Sequence, residues 1–531
     1  MKWLLVVLLV SACGAQPSAS GGAGGSGGSG GSGGADAGPT PDAFNGPWGD
    51  FSGGPIIDTG APQGAPGLFN VPGSTTGGPC LIEPEIGSLF PRNWLRPRFN
   101  MIPVGSQNLF EIRLHAANEA SDLLIYTMNP IWTMPANVWA GVTAHLAGQN
   151  ITITVRGATY ANGSLSGPPA TGSSGDIGIA PVSAPGAIVY WTTTGGSALR
   201  GFAVGEETVR NVLRPTQAQT ACVGCHSSTP DGIFVGFSAS PNAGNGDPAV
   251  MGIRTVDGNA TTPTFITASA QTLMNRTNQE LPTFSRMHWT TGDRIMLSMF
   301  PINNRFEILW TDLEAANTTQ GTAWNVLART GDSGAAAYAS FDHSGQNVLY
   351  VSSPSGMVAS GVTLNDGDLH MAPWNNRAGG ASTAIAGASD PSFNEYYPTL
   401  SPDDHLIAFN RLMAGQRSYN NAAAELFVIP AAGGNAVRLA ANDPPACAGR
   451  TSPGLTNSWP KWAPEAEQAG GKTFYWLTFS SRRNTAGNPQ LYATAIVIDE
   501  NGMTTYPSLY LWNQPAAENN HTPAWDIFQI P

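Results

Sequence analysis

The sequence predicts an all-β chain in which a β-sandwich precedes a β-propeller, and three observations predict it. Short segments that alternate apolar and polar residues fill the region from Asn108 to Thr194. A unit of anchor residue, polar turn and alternating strand then recurs at a spacing of about 50–65 residues. The 64 glycines and 42 prolines suit many short strands and turns rather than long helices.

The first region carries NLFEIRLHA at Asn108, LLIYTMN at Leu123, ITITVRGA at Ile151 and AIVYWTTT at Ala187. β-Branched and aromatic side chains at period two, separated by Gly-, Asn- and Pro-rich turns, read as strands with one buried face. No stretch here shows helical periodicity, and an Ig-like sandwich over residues 80–203 is expected. Trp132, Trp139 and Trp191 are expected in its core. VGEETVRNVL, Val204 to Leu213, is expected to form a short helix that Pro215 interrupts.

The repeats begin with STPDGIFVGFSA at Ser228 and continue with MHWTTGDRIMLSM at Met287, ASFDHSGQNVLYVSS at Ala339, YPTLSPDDHLIAFNR at Tyr397 and WPKWAPEAEQAGGKTFYWLTFSS at Trp459. HTPAWDIF at His521 repeats the beginning of the unit just before the chain stops. A four-stranded sheet repeated radially, with the turn between its first two strands, produces this pattern. The units resemble the TolB-type propeller repeat, built on Pro, an aromatic, Ser-Pro-Asp-Gly and an apolar strand. That resemblance implies a propeller over residues 231–531 of five blades, or six if an irregular unit is present. The half-repeat at His521 is expected to close the ring by completing the blade begun by DGIFVGFSA.

Lys2 precedes an apolar run from Trp3 to Val10 that is too short to be read as a membrane span and ends in Ser11, Ala12 and Cys13. This start resembles a bacterial lipoprotein signal, although Val10 stands where that family prefers Leu. The resemblance implies removal of residues 1–12, acylation of Cys13, and an exported protein anchored in the outer membrane and facing the periplasm or cell surface. An ordinary signal peptide with Cys13 incidental is the alternative. The Gly/Ser-rich run that follows, including GGAGGSGGSGGSGG at Gly21, has nothing apolar to bury and is expected to be a flexible coil. The linker is assigned to residues 13–79. A formal net charge of −12 without a Lys/Arg cluster argues against nucleic acid as a partner; the chain is expected to be a monomer.

Five cysteines divide by chemistry. Cys13 is assigned to lipid, and Cys222 and Cys225 belong to the run Cys-Val-Gly-Cys-His. Cys80 and Cys447 remain, and in an oxidising compartment they are expected to pair, two separate buried thiols being the alternative. Two thiols three positions apart, followed by an imidazole, match the attachment of one covalent haem c: Cys222 and Cys225 add to the vinyl groups and His226 reaches the iron. Residues 204–230 are read as the attachment segment, in a seam between sandwich and propeller, with Met287 or His521 as the distal iron ligand. The rival reading is a Cys222–Cys225 disulfide with no haem.

The functional expectation is a membrane-anchored haem protein that transfers electrons to a redox or envelope partner, with the propeller as scaffold and docking surface. The alternative is a non-enzymatic TolB-like binding or scaffold lipoprotein. A haem enzyme or sensor with an open iron site is a third. No Gly-x-Ser-x-Gly elbow occurs outside the Gly/Ser tether, so an electron carrier or binding protein is expected rather than a catalyst.

Overall fold

The structure, a computed structural model, describes residues 47–241, 249–355, 363–484 and 487–530. The leader, Cys13 and the Gly/Ser run lie outside the described residues. The chain is mostly β, with a propeller-like succession of sheets.

The described part of the assigned linker, residues 47–79, is packed rather than free. Ile56–Ile57 adds a parallel edge strand beside Leu123–Thr127. Ala65–Phe69 forms a helical turn that buries Ala65 and Phe69. Unlike the Gly/Ser run, this stretch has Phe51, Ile56, Ile57 and Phe69 to take out of water, and that burial offsets the entropy of ordering it.

Two sheets follow. One has six strands in the order Ile56–Ile57, Leu123–Thr127, Leu109–His115, Asn150–Ala158, Ala170–Ile179, Leu89–Phe90, and both of its edge pairings are parallel. The other joins Cys80–Glu83, Arg98–Ile102 and Ile131–Thr133. Period-two burial is plain in Asn150–Ala158, where Ile151, Ile153 and Val155 face inward. They meet Leu81, Phe99, Met101 and Trp132 of the smaller sheet in one core. Trp132 and Trp139 are buried in this core, whereas Trp191 is buried in a separate cluster with Leu199, Val223 and Val235. One helix was not expected here: Ala136–His145 buries Val138, Trp139 and Val142, a one-sided pattern that follows directly after Pro135.

The ring is built from six sheets among the described residues. In chain order their innermost strands are Cys222–Ser228, Glu280–Thr290, Ala335–Phe341, Phe393–Leu400, Ser458–Trp462 and Asn520–Asp526. Each contacts the next, and the last contacts the first, so the cycle is closed. The turn aspartates explain the repeated motif. Asp231 accepts from Thr229 Oγ1 and the Ile233 N–H within its own turn, while its other oxygen accepts from Trp289 Nε1 of the next sheet. Asp403 does the same with Ser401, the His405 N–H and Tyr475. One carboxylate therefore shapes a turn and fastens it to its neighbour.

Closure differs from the sequence reading. Asn520–Asp526 does not pair with Phe234–Ser240; it pairs antiparallel with Ala187–Thr192, which continues into Ala198–Ala203 and Arg210–Leu213. The segment AIVYWTTT therefore belongs to the closing sheet and not to the N-terminal unit. Arg210–Leu213, expected as helix, is that sheet's outer strand, with Val212 and Leu213 buried. The inner strand of this sheet and its outer three are separated by more than 300 residues, so no contiguous repeat marks it.

Two contacts tie the N-terminal unit to the ring. Cys80 and Cys447 are joined in a disulfide across a sequence separation of 367. Arg483 reaches Glu85 at 3.0 Å and also donates to Ser508 and Asn457, all of it buried. Removing one partner of a buried ion pair leaves the other charge uncompensated. Arg483→Met is expected to cost about 3–5 kcal/mol, read as a lower midpoint in chemical denaturation.

Candidate functional site

Every innermost strand of the ring carries a β-bulge at an equivalent place. The register shifts fall between Val223 and His226, Glu280 and Thr283, Ala337 and Ser340, Tyr396 and Thr399, Ser458 and Lys461, and, on the last strand, between His521 and Ala524. This aligns six tripeptides: Gly224-Cys225-His226, Leu281-Pro282-Thr283, Tyr338-Ala339-Ser340, Tyr397-Pro398-Thr399, Trp459-Pro460-Lys461 and Thr522-Pro523-Ala524. Proline suits the middle position because a bulge removes a ladder donor. In the first strand Cys225 stands in that middle position.

The first residue of five of these tripeptides has positive φ, from +46° to +61°: Leu281, Tyr338, Tyr397, Trp459 and Thr522. Left-handed backbone costs a bulky or β-branched residue about 1–2 kcal/mol. Strain repeated in register turns these side chains into the centre of the ring, where all five line a pocket of about 670 Å³ together with Cys225, His226 and Lys461. A second pocket of about 920 Å³ shares His226, Ser227, Thr283, Ser340 and Lys461 as walls and opens toward Arg286, His343 and Asp526. Together they form one channel through the ring.

Its inner chamber is aromatic and incompletely hydrogen-bonded. Tyr397 stacks on Trp459 with ring centroids 3.6 Å apart, and Tyr338 meets Tyr397 edge-on at 4.7 Å. Tyr397 is 4% exposed and Thr522 8%. The hydroxyls of Tyr338, Tyr397 and Thr522 are buried without a well-formed hydrogen bond. Burying a hydroxyl in this way costs about 1–3 kcal/mol. No Arg, Asp or Glu lines this chamber, and Lys461 is its one ammonium. Burial holds the Lys461 amine below its ordinary value, with Cys225 and Asp526 acting in the opposite sense.

The cysteine motif lies on the channel wall, not in a seam between the two units as the sequence reading placed it. His226 donates Nε2–H to the Val189 carbonyl at 3.1 Å, leaving Nδ1 buried and bare. Burial pushes its imidazole down to about 4, against the carbonyls of Val189 and Gly224. Cys225 carries a free thiol, so the two motif cysteines are not joined to each other. Burial, with Glu280 adding to it, pushes that thiol up to about 12. Cys222 occupies a different environment: it is buried, and its counterparts three residues before each middle position, Gln279, Ala336, Glu395, Asn457 and Asn520, are all fully buried outside the channel.

These positions test the expected haem. Cys225 and the bare nitrogen of His226 fit it; Cys222 does not, because it faces away from both chambers. Neither expected distal ligand lines the channel. Met287 is 59% exposed at the far end of its strand. His521 precedes the channel residue Thr522 and packs against Trp191, centroids 4.6 Å apart, with its own Nδ1 bare. Burial pushes His521 down to about 3. Sequence reasoning missed Lys461, Tyr338, Tyr397, Trp459 and Thr522. The one available signal was X-Pro-X in four of the six inner strands, at Pro282, Pro398, Pro460 and Pro523.

No family model matches the chain, and no curated protein sequence matches it. Among solved structures, one from a study of two prolyl endopeptidases shares 13% identity at TM-score 0.32, covering 61% of this chain and 41% of its own. The hydrazine synthase of Kuenenia stuttgartiensis shares 12% at TM-score 0.34, covering 64% and 46%. An oligogalacturonate lyase in complex with manganese shares 12% at TM-score 0.30, covering 61% and 74%. The chain spans less than half the length of the first two.

Both histidines are neutral in the folded protein, whereas the unfolded chain protonates them near 6.5. The unfolded state then binds more protons, so their contribution to stability is present above about pH 6.5 and is lost as pH falls toward about 4 and about 3. In thermal unfolding, the loss of melting temperature between pH 7 and pH 4.5 is expected to be smaller for His226→Gln/His521→Gln than for the wild type.

Proposed function

We propose that the protein is an exported, lipid-anchored binding protein of the cell envelope, whose sheets form a six-bladed TolB-like propeller that holds a small ligand in its channel. The observation that carries this reading is the set of left-handed residues turned into the channel, where the buried, unpartnered hydroxyl of Thr522 stands with the hydroxyls of Tyr338 and Tyr397 on one wall. Backbone strain and unsatisfied donors are costs that a purely structural channel avoids with apolar residues. A ligand that accepts and donates hydrogen bonds against an aromatic wall supplies the missing partners. Cys13 and the Gly/Ser tether would hold the ring near a membrane while leaving the channel open to solutes.

A second reading, an electron-transfer protein with one haem c, is favoured by the free Cys225 beside the bare Nδ1 of His226. Such a group would supply a one-electron iron couple. Cys222 does not support a second thioether in this arrangement.

Two measurements separate the readings. Thr522→Val removes an unpaired hydroxyl, so it is expected to leave the ligand-free protein as stable as the wild type or about 1 kcal/mol more so; clear destabilisation shows that the hydroxyl has a structural partner and counts against the binding site. Protein made in a host that matures c-type cytochromes is expected to give no haem stain on a denaturing gel. A positive stain that Cys225→Ala abolishes assigns the second reading instead.

A further inference from the structure

The chain has only three lysines, and one of them, Lys461, stands in the middle of the channel. Lys472, the other lysine among the described residues, lies at a sheet edge 3.3 Å from Asp499. Lys461 occupies the third place of its tripeptide, where the other strands carry His226, Thr283, Ser340, Thr399 and Ala524. No carboxylate lies within ion-pair distance of it among the described residues. Of the two acids that share its outer chamber, Asp526 is instead 3.7 Å from Arg286, and Asp342 accepts from the backbone N–H groups of Gln346 and Asn347 in its own turn. The remaining titratable groups that line the inner chamber are Cys225, His226, Tyr338 and Tyr397.

An ammonium in such a place is costly unless an anion meets it. The chamber offers one positive charge and no guanidinium, so it neutralises a monoanion and would leave the second charge of a dianion unpaired. Beyond Lys461 stand the unpartnered hydroxyl of Thr522 and the hydroxyls of Tyr397 and Tyr338, and the flat wall is the stacked pair Tyr397 and Trp459.

We infer that the channel binds a small hydroxy-carboxylate, its carboxylate on the Lys461 ammonium and its hydroxyls on Thr522 and Tyr397. This rests on the channel being a binding site and adds the class of ligand. The carboxylate gives the ammonium its counter-ion; each ligand hydroxyl can donate to one unpaired oxygen and accept from another. A neutral polyol would satisfy the hydroxyls but leave the lysine unpaired. A simple carboxylate would do the reverse.

Calorimetric titration of the full mature chain with gluconate and with sorbitol tests this, because the two differ chiefly in a carboxylate against a hydroxymethyl group. Gluconate is expected to bind at least tenfold more tightly than sorbitol. Lys461→Met is expected to remove that preference while the variant keeps the wild-type circular dichroism and melting temperature or gains in the latter. Thr522→Val is expected to weaken both compounds by a similar factor. Equal binding of gluconate and sorbitol, or a gluconate preference that survives Lys461→Met, overturns the carboxylate assignment and leaves the channel as a binding site for neutral molecules. Binding of neither compound, nor of lactate, overturns the hydroxy-carboxylate; the Thr522→Val stability measurement then shows separately whether the wider channel reading stands.

Discussion

The pairing of Asn520–Asp526 with Ala187–Thr192 is the constraint on which the rest of the molecule depends. It joins the end of the described chain to a strand more than 300 residues earlier and converts a row of sheets into a ring. Loop-closure entropy rises only slowly with length, so a few backbone hydrogen bonds and a buried face suffice to hold such distant segments together. The face is well buried: Ile188, Val189, Tyr190 and Trp191 are all within the core, and Trp525 donates its indole N–H to the Pro185 carbonyl at 2.7 Å. Without this contact Thr522 would have no place beside Cys225, and the channel would be a groove.

Closure also decides how the N-terminal unit sits. Ile188, Tyr190 and Phe202 of the closing sheet share one hydrophobic core with Ile153 and Phe99 of the N-terminal sheets and with Trp476 and Leu491 of the preceding ring sheet. The Cys80–Cys447 disulfide and the Arg483–Glu85 pair lie on the same side of the molecule as additional ties. The ring is thus braced from outside, and its inner strands can carry strain. The bulge spends part of that stability at six equivalent places, replacing ladder hydrogen bonds with side chains turned inward. Local strain repeated on one surface of a well-packed molecule is what stability traded for binding looks like.

The repeats were legible because each satisfies a local rule. Asp231 and Asp403 sit in turns whose hydrogen bonds span two to four residues, and alternating strands follow them directly. The strands of the N-terminal unit were legible for the same reason. Ala136–His145 was not, because only Val138, Trp139 and Val142 mark its buried face and a helix this short offers less than three turns of pattern. Arg210–Leu213 was misread because its helix-compatible residues pair with a strand, and tertiary pairing overrides propensity.

The sequence alone determined the all-β character, the radial repeat, and the presence of Cys222, Cys225 and His226 at the start of the first unit, since period-two burial and turn chemistry depend only on near neighbours. Tertiary structure alone decided that a strand from before the cysteine motif completes the ring, that Cys225 and His226 face the channel while Cys222 does not, and that Lys461, Tyr397 and Thr522 line it together. Those outcomes depend on register, where one bulged residue reverses which side chains point inward, and on contacts between residues hundreds of positions apart, which no local pattern encodes.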